Sequence, residues 1–195
     1  MDKLSYALGM SMGNNFQRSG VKEINVEEFA NGVRAVYEGV KPEMTYDEAK
    51  QIVQEFFTNL ENEAKDANKK IGEAFLADNS KRDEVHVTAT GLQYEILKEG
   101  NNVHPSAGDQ VEVHYTGKLI DGTVFDSSVE RGTPVTFGVT QVIPGWVEAL
   151  QLMSEGASWR LFIPSELAYG PNGAGQVIGP DTTLIFDVEL IKVIK

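Results

Sequence analysis

The feature that most limits what this chain can become is a helix too long for its neighbours. Thr45-Tyr-Asp-Glu48, just after Pro42, is a capping-box pattern, in which a Thr hydroxyl and a Glu carboxylate three residues on each satisfy a backbone N–H of the other. From there Ala49, Ile52, Val53, Phe56, Phe57 and Leu60 recur at helical spacing. Ala64, Ala67, Ile71, Ala74 and Phe75 carry the rhythm on, with no Gly or Pro before Gly72. A helix over residues 45–79 would be roughly 50 Å long at ~1.5 Å per residue. That exceeds the diameter of anything the residues before it could build.

Those residues read as two shorter helices. Residues 3–18 place Leu4, Leu8, Met12 and Phe16 at helical spacing and stop at Ser19-Gly20. Asn25 caps a second helix, with Glu28 three residues on, carrying Phe29, Val33, Val36 and Tyr37 to Gly39. Gly9 and Gly13 form a small-x-x-x-small pair that lets another backbone approach. Two short helices bury little surface alone and cannot cover so long a stripe. Either the long helix lies across the C-terminal half, or these segments pack against a second copy of the chain. The reading adopted is a homodimer through residues 1–44, with the long helix as a stalk.

Composition narrows the classes. At 195 residues the chain holds one sizeable domain or two small ones. A formal net charge of −12 argues against nucleic acid and anionic membrane surfaces as partners. There is no cysteine, hence no disulfide, no thiolate metal site and no cysteine nucleophile. No apolar run reaches the ~18 residues a membrane span needs. The opening Met-Asp-Lys-Leu-Ser-Tyr lacks a signal-peptide pattern, so the expected compartment is the cytoplasm, or the periplasm if a leader has been removed.

Residues 77–87 are charged and turn-rich, and after them the period changes from helical to alternating. This places a helical dimerisation domain over residues 1–85 and a β-rich domain over 86–195. Leu92, Tyr94 and Ile96 share one strand face; Val111, Val113 and Tyr115 alternate in the next. Asp121-Gly122 is a hairpin turn into Val124-Phe125, and Val135-Thr-Phe137 forms a further strand. Residues 159–163 and 183–193 close the set, the last apolar on both sides of its first half and so central in its sheet. The fold class is α+β: an antiparallel sheet wrapped on one short helix, behind an all-helical N-terminal domain.

That short helix starts in residues 142–146, Val-Ile-Pro-Gly-Trp, where a Pro-Gly turn follows two branched apolar residues. Taken alone, Trp146 is a core tryptophan beneath a turn. Its company changes the reading: Tyr115, Phe125, Val142, Ile143, Tyr169, Val177, Ile178 and Phe186 all lie beside turns or loops, and Asp126 directly follows Phe125. An apolar cup with one or two polar groups is a ligand pocket by default. His86, His104 and His114 have no ligand partner at metal spacing. The glycine-rich residues 170–179 lack a Gly-Lys-Ser/Thr ending and read as a shaped loop.

Val-His-Tyr-Thr-Gly (113–117), Asp-Gly-Thr-Val-Phe-Asp-Ser-Ser (121–128), Val-Ile-Pro-Gly-Trp, Ala-Tyr-Gly (168–170) and Leu-Ile-Phe-Asp-Val-Glu-Leu (184–190) together resemble the FKBP-type peptidyl-prolyl isomerases. The helical front, beginning Lys-Leu-Ser-Tyr-Ala-Leu-Gly, is similar to that of the macrophage infectivity potentiator (Mip) group, whose members are homodimers with a long helix to each isomerase domain. The resemblance implies Trp146 as floor of a prolyl pocket and Tyr115, Phe125, Val142, Ile143 and Phe186 as its walls. It implies Asp126 facing the bound amide, and the Tyr169 hydroxyl and Ile143 N–H bonding substrate carbonyls. Arg131 would orient Asp126 and Tyr115 from behind, and Val177 and Ile178 would form the loop edge. Three positions depart from single-domain members: Val135 stands where a phenylalanine wall is common, Ala174 for a frequent histidine, Gly179 for the usual proline. Read without the family, Arg131 is a solvated turn residue, Asp126 a turn cap and Phe186 core.

Proline-containing polypeptides are then the implied clients, and macrolides of the tacrolimus or rapamycin type the implied inhibitors. An Xaa-Pro amide resists rotation by ~18–20 kcal/mol. In the twisted transition state resonance is lost and the carbonyl carries less charge, so a pocket that strips water from it penalises the planar state more. Lowering the barrier by roughly 5–7 kcal/mol would accelerate rotation about four to five orders of magnitude. No nucleophile, metal or cofactor is called for. The rival expectation is a non-catalytic module that binds proline peptides or partners on the same fold.

Overall fold

Thr45 and Glu48 form the expected capping box. Glu48 N–H donates to Thr45 Oγ1 at 3.2 Å, and Thr45 N–H to Glu48 Oε2 at 2.8 Å. From this start helix α3 runs unbroken over Tyr46–Asn79 in the computed structural model, which describes residues 1–195. The chain divides into two compact units, Met1–Leu60 and Glu61–Lys195, so the division falls inside α3. The change from helical to strand structure lies further on, between Asn79 and Val85, beside the expected boundary near residue 86.

In the first unit α1 spans Lys3–Arg18 and α2 spans Val26–Tyr37. Asp2 caps α1 through the Leu4 N–H at 3.1 Å; Asn25 Oδ1 accepts the Glu27 and Glu28 N–H groups at 3.0 and 3.2 Å. Phe16 and Phe29 meet edge to face at 5.5 Å. No side chain of α1 or α2 is fully buried, and Leu4, Leu8, Val36, Ile52 and Val53 are each more than half exposed.

The second unit is built on a seven-stranded antiparallel sheet. Its strands are β1 (Val85–Val87), β2 (Gln93–Lys98), β3 (Gln110–Leu119), β4 (Val124–Ser127), β5 (Val135–Gly138), β6 (Ser158–Ile163) and β7 (Leu184–Ile194). The order is β1-β2-β6-β7-β3-β4, with β5 also pairing β3. β7 is central, as its two-sided apolar pattern requires, and Leu184, Ile185 and Phe186 are all buried. Helix α5 (Pro144–Leu152) lays Trp146, Ala149 and Leu150 on the inner sheet face. The hairpin at Asp121-Gly122 forms as expected, with Gly122 at φ +89° and its N–H on Leu119 O at 3.0 Å. The three-residue β1 and the one-turn helix α4 (Ser128–Arg131) are too short to show a period in the sequence.

The face that α3 buries differs from the expected stripe. Ala64, Ala67, Ile71 and Ala74 are exposed, while Lys65, Asn68, Gly72, Phe75, Leu76 and Asn79 turn towards the outer sheet face. Phe75 lies 5.9 Å from Phe162, ring to ring. Asn79 Nδ2 donates to Gln93 Oε1 at 2.9 Å, and Gln93 Nε2 donates to Leu76 O at 2.9 Å. The outer sheet face carries its own amides, so polar side chains can be buried there fully paired. The sheet is thus covered on both faces, by α5 within and by the C-terminal turns of α3 without. Asn79→Ala strands the buried Gln93 carbonyl, and a loss of about 1–3 kcal/mol in unfolding free energy is expected by denaturant titration.

Candidate active site

The site grows from the pairing of β3 with β7. Gly117 faces Phe186 across that ladder and Asp126 across the β3–β4 ladder. A Cβ on Gly117 would stand 2.6 Å from the Phe125 ring and 2.7 Å from the Phe186 ring. Only glycine leaves both rings their place, where they meet edge to face at 5.5 Å. Trp146 enters from below. Ile143 is the N-cap of α5 and Pro144 its first residue; the Trp146 N–H donates to Ile143 O at 2.9 Å. This rigid start drives the indole into the core, 4% exposed. Its ring meets Tyr115 and Phe186 at 5.3 Å each and Phe137 at 6.0 Å, all near right angles. Such edge contacts each add about 0.5–1.5 kcal/mol beyond the area they bury.

Above this floor lies an open cavity of about 620 Å³. Of the twelve expected site residues, Tyr115, Phe125, Asp126, Val142, Ile143, Trp146, Tyr169, Ile178 and Phe186 line it. Arg131 stands behind the wall: it donates from Nη1 to Asp126 Oδ1 and from Nη2 to the Tyr115 hydroxyl at 3.2 Å. The Tyr115 hydroxyl in turn donates to Asp126 Oδ2. Val135 packs on the core without reaching the cavity; Phe137, two residues on along β5 and on the same face, supplies that wall instead. Val177 is 49% exposed and does not line the cavity: it lies in the tight turn between the bridged residues Ala174 and Ile178. Sequence reasoning missed Phe137, which the alternation of β5 could have supplied, and Gln141, which no pattern marks.

Local structure holds the polar rim. Ser128, fully buried on α4, accepts the Tyr115 N–H at 2.8 Å, and Ser127 Oγ caps α4 through the Glu130 N–H at 3.2 Å. The one-turn helix thereby aims Arg131 at Asp126. Burial pushes the Asp126 carboxyl up, but the hydrogen bonds from Tyr115 and Arg131 and the Arg131 charge outweigh it and hold the group below its ordinary value. Burial, followed by the bond to Asp126, pushes the Tyr115 phenol up. At neutral pH the rim holds a carboxylate, a neutral phenol and a guanidinium. The Ile143 N–H makes no hydrogen bond within the chain.

A cup with an aromatic floor and a fixed polar rim has the chemistry of a ligand pocket for an apolar group. The comparisons with known proteins agree. Residues 101–191 match the FKBP-type peptidyl-prolyl cis-trans isomerase domain, and residues 1–96 match the domain amino-terminal to it. The chain belongs to the FKBP-type peptidyl-prolyl cis-trans isomerases. It is 42% identical to the FKBP-type 22 kDa peptidyl-prolyl cis-trans isomerase of Escherichia coli, over 97% of this chain and 94% of that one. The outer membrane protein MIP of Legionella longbeachae is 44% identical over 100% of this chain and 86% of its own. The crystal structure of FkpA from Escherichia coli superposes with a TM-score of 0.82 at 32% identity, over 98% of this chain and 93% of that one. No helix is long and apolar enough to cross a membrane. None of these names places a relative in the cytoplasm, so the cytoplasmic expectation gains nothing from them.

The chain is therefore an enzyme whose substrates contain Xaa-Pro bonds. Gly117→Ala forces the Phe125 and Phe186 rings to shift, and is expected to cost about 1–3 kcal/mol of stability by denaturant unfolding and to lower isomerase activity with it.

Proposed function

We propose that the cup over Trp146 binds the prolyl ring and that rotation is accelerated by removing water from the preceding carbonyl. The observation that carries this reading is the aromatic box: Tyr115, Phe137 and Phe186 surround the indole edge-on and leave an apolar seat open above it. Water leaves that seat when the ring enters. The planar amide, with its charged carbonyl, then loses more solvation than the twisted one. The Ile143 N–H and the Tyr169 hydroxyl, at the cavity wall, are placed to hold the flanking carbonyls. Asp126 faces the amide as an anion fixed by Tyr115 and Arg131, so it cannot swing away or take up a proton near neutrality. Val142 and Ile178 close the sides, and macrolides of the tacrolimus or rapamycin type would compete for the same seat.

The test is the isomerisation rate of a short Xaa-Pro peptide. Catalysis is expected from the wild type, and at least a roughly tenfold loss from Asp126→Asn, which takes about 1.4 kcal/mol from the transition state. A rate unchanged by stoichiometric protein would overturn the reading. The pH profile follows from the rim. The Asp126 pKa is lowered, so its contribution is present above the ordinary carboxylate range and fades as pH falls through its lowered value. With Tyr115 raised, the rate should stay flat from about pH 5 to about pH 9 and fall only in acid.

We infer further that the chain is a homodimer through residues 1–44. Support comes from the first unit, where Leu4, Leu8, Val36 and their neighbours are exposed and no side chain of α1 or α2 is fully buried. Apolar surface left open on that scale favours a partner, and a second copy offers the matching face. Two cups in one assembly would hold a flexible client bivalently, raising effective concentration and adding a chaperone contribution to folding. Sedimentation equilibrium should give twice the chain mass of 21.4 kDa; the single mass would refute the dimer.

A further inference from the structure

We propose that Asn68, on α3, is a positioning residue for isomerisation: its side-chain amide latches the loop that carries the far wall of the cup. The inference rests on the reading of that cup as the prolyl site. The loop runs over residues 170–183, between Tyr169 and β7, and brings Ile178 to the cavity. It is largely tied to itself. Asp181 N–H donates to Gly170 O at 2.9 Å and closes the loop at its neck. Ala174 and Ile178 exchange backbone hydrogen bonds at 2.8 and 3.2 Å, and Thr182 Oγ1 donates to Gly179 O at 2.9 Å. These bonds shape the loop but do not anchor it.

One hydrogen bond reaches it from elsewhere in the chain. Asn68 Nδ2 donates to Pro180 O at 2.8 Å, across 112 residues of sequence. Gly179 eases the approach: a Cβ there would stand 3.1 Å from Asn68 Nδ2, tighter than ordinary contact. One helical turn further on, Gly72 lies against Thr183, which is buried at the end of the loop. Positions 68 and 72 share the α3 face that packs on the sheet, so a rigid helix grips the loop at two points one turn apart. Pro180 lies two residues beyond Ile178, between the Ala174–Ile178 bridge and the neck at Asp181, so holding Pro180 limits how far the wall can move.

The consequence is for binding rather than for chemistry. A loop held by backbone bonds to itself samples more positions, and a substrate that needs one of them must order it on binding. Asn68 meets that cost in advance. Loss of one such bond is expected to raise KM for an Xaa-Pro peptide roughly threefold to tenfold, with kcat within about twofold of wild type. Asn68→Asp is the sharper variant, because it keeps the shape and sets a carboxylate oxygen against the Pro180 carbonyl.

The experiment measures KM and kcat for the peptide, and amide exchange at Ile178, in Asn68→Ala, Asn68→Asp and Asn79→Ala, each well below its unfolding midpoint. Asn79 sits on the same helix face but bonds Gln93 on β2, not the loop. The expected result is a raised KM and faster Ile178 exchange in both Asn68 variants, greater in Asn68→Asp. Asn79→Ala should lose stability while keeping wild-type KM and exchange. A wild-type KM in Asn68→Asp would overturn the latch, as would an equal rise in Asn79→Ala. Asp126→Asn, run alongside, separates the two claims: full activity there would remove the cup as the site, whereas reduced activity with a normal Asn68→Asp removes only the latch.

Discussion

Everything in the second unit that bears on function depends on the contact of the Trp146 indole with Tyr115 and Phe186, each ring 5.3 Å away and nearly perpendicular. The two rings stand on neighbouring strands, β3 and β7, and the indole rises between them from the first turn of α5. That contact ties the sheet to its one inner helix and makes the pocket floor with the same atoms. It also explains why Gly117 has no side chain: opposite Phe186 and beneath Phe125 there is no volume for one. A pocket whose floor is the core cannot relax without disturbing the domain, and the proposed desolvation of a substrate carbonyl relies on that rigidity.

The rim obeys a different physics. Asp126 is only partly buried and would stay flexible alone, but Tyr115 and Arg131 occupy both its oxygens. Arg131 is half exposed, so its pairing contributes little to stability in water. Its effect is geometric, fixing one carboxylate and one phenol in place beside an apolar seat. In the proposed mechanism the polar groups hold and orient, and the apolar surface removes solvent.

Much of this was legible along the chain. Thr45 and Glu48 announced the start of α3 because capping is local chemistry, and Asp121-Gly122 announced its hairpin for the same reason. Trp146, Tyr115 and Phe186 were recognisable because aromatic residues beside turns are few and their order resembles a known family. Phe137 was hidden by Val135, two residues away on the same strand face, since alternation tells which side a residue faces but not how far its side chain reaches. Gln141 was hidden because a polar residue in a turn has many uses. The buried face of α3 misled for a physical reason: polar partners await it, Gln93 on the sheet and the Pro180 carbonyl on the loop, so Asn79 is buried and Asn68 half-buried while Ile71 is 56% exposed.

The sequence by itself therefore determined the start of α3, the hairpin at Asp121-Gly122 and the central place of β7, through short-range rules: caps, turns and the two hydrophobic periods. Most of the residues around Trp146 were legible through their resemblance to a known family. Only the tertiary structure decided which side of α3 meets the sheet, which of Val135 and Phe137 becomes the wall, and that Asn68 reaches Pro180. Each of these is a pairing between residues far apart in the chain, set by shape and by hydrogen-bond partners that no local pattern encodes.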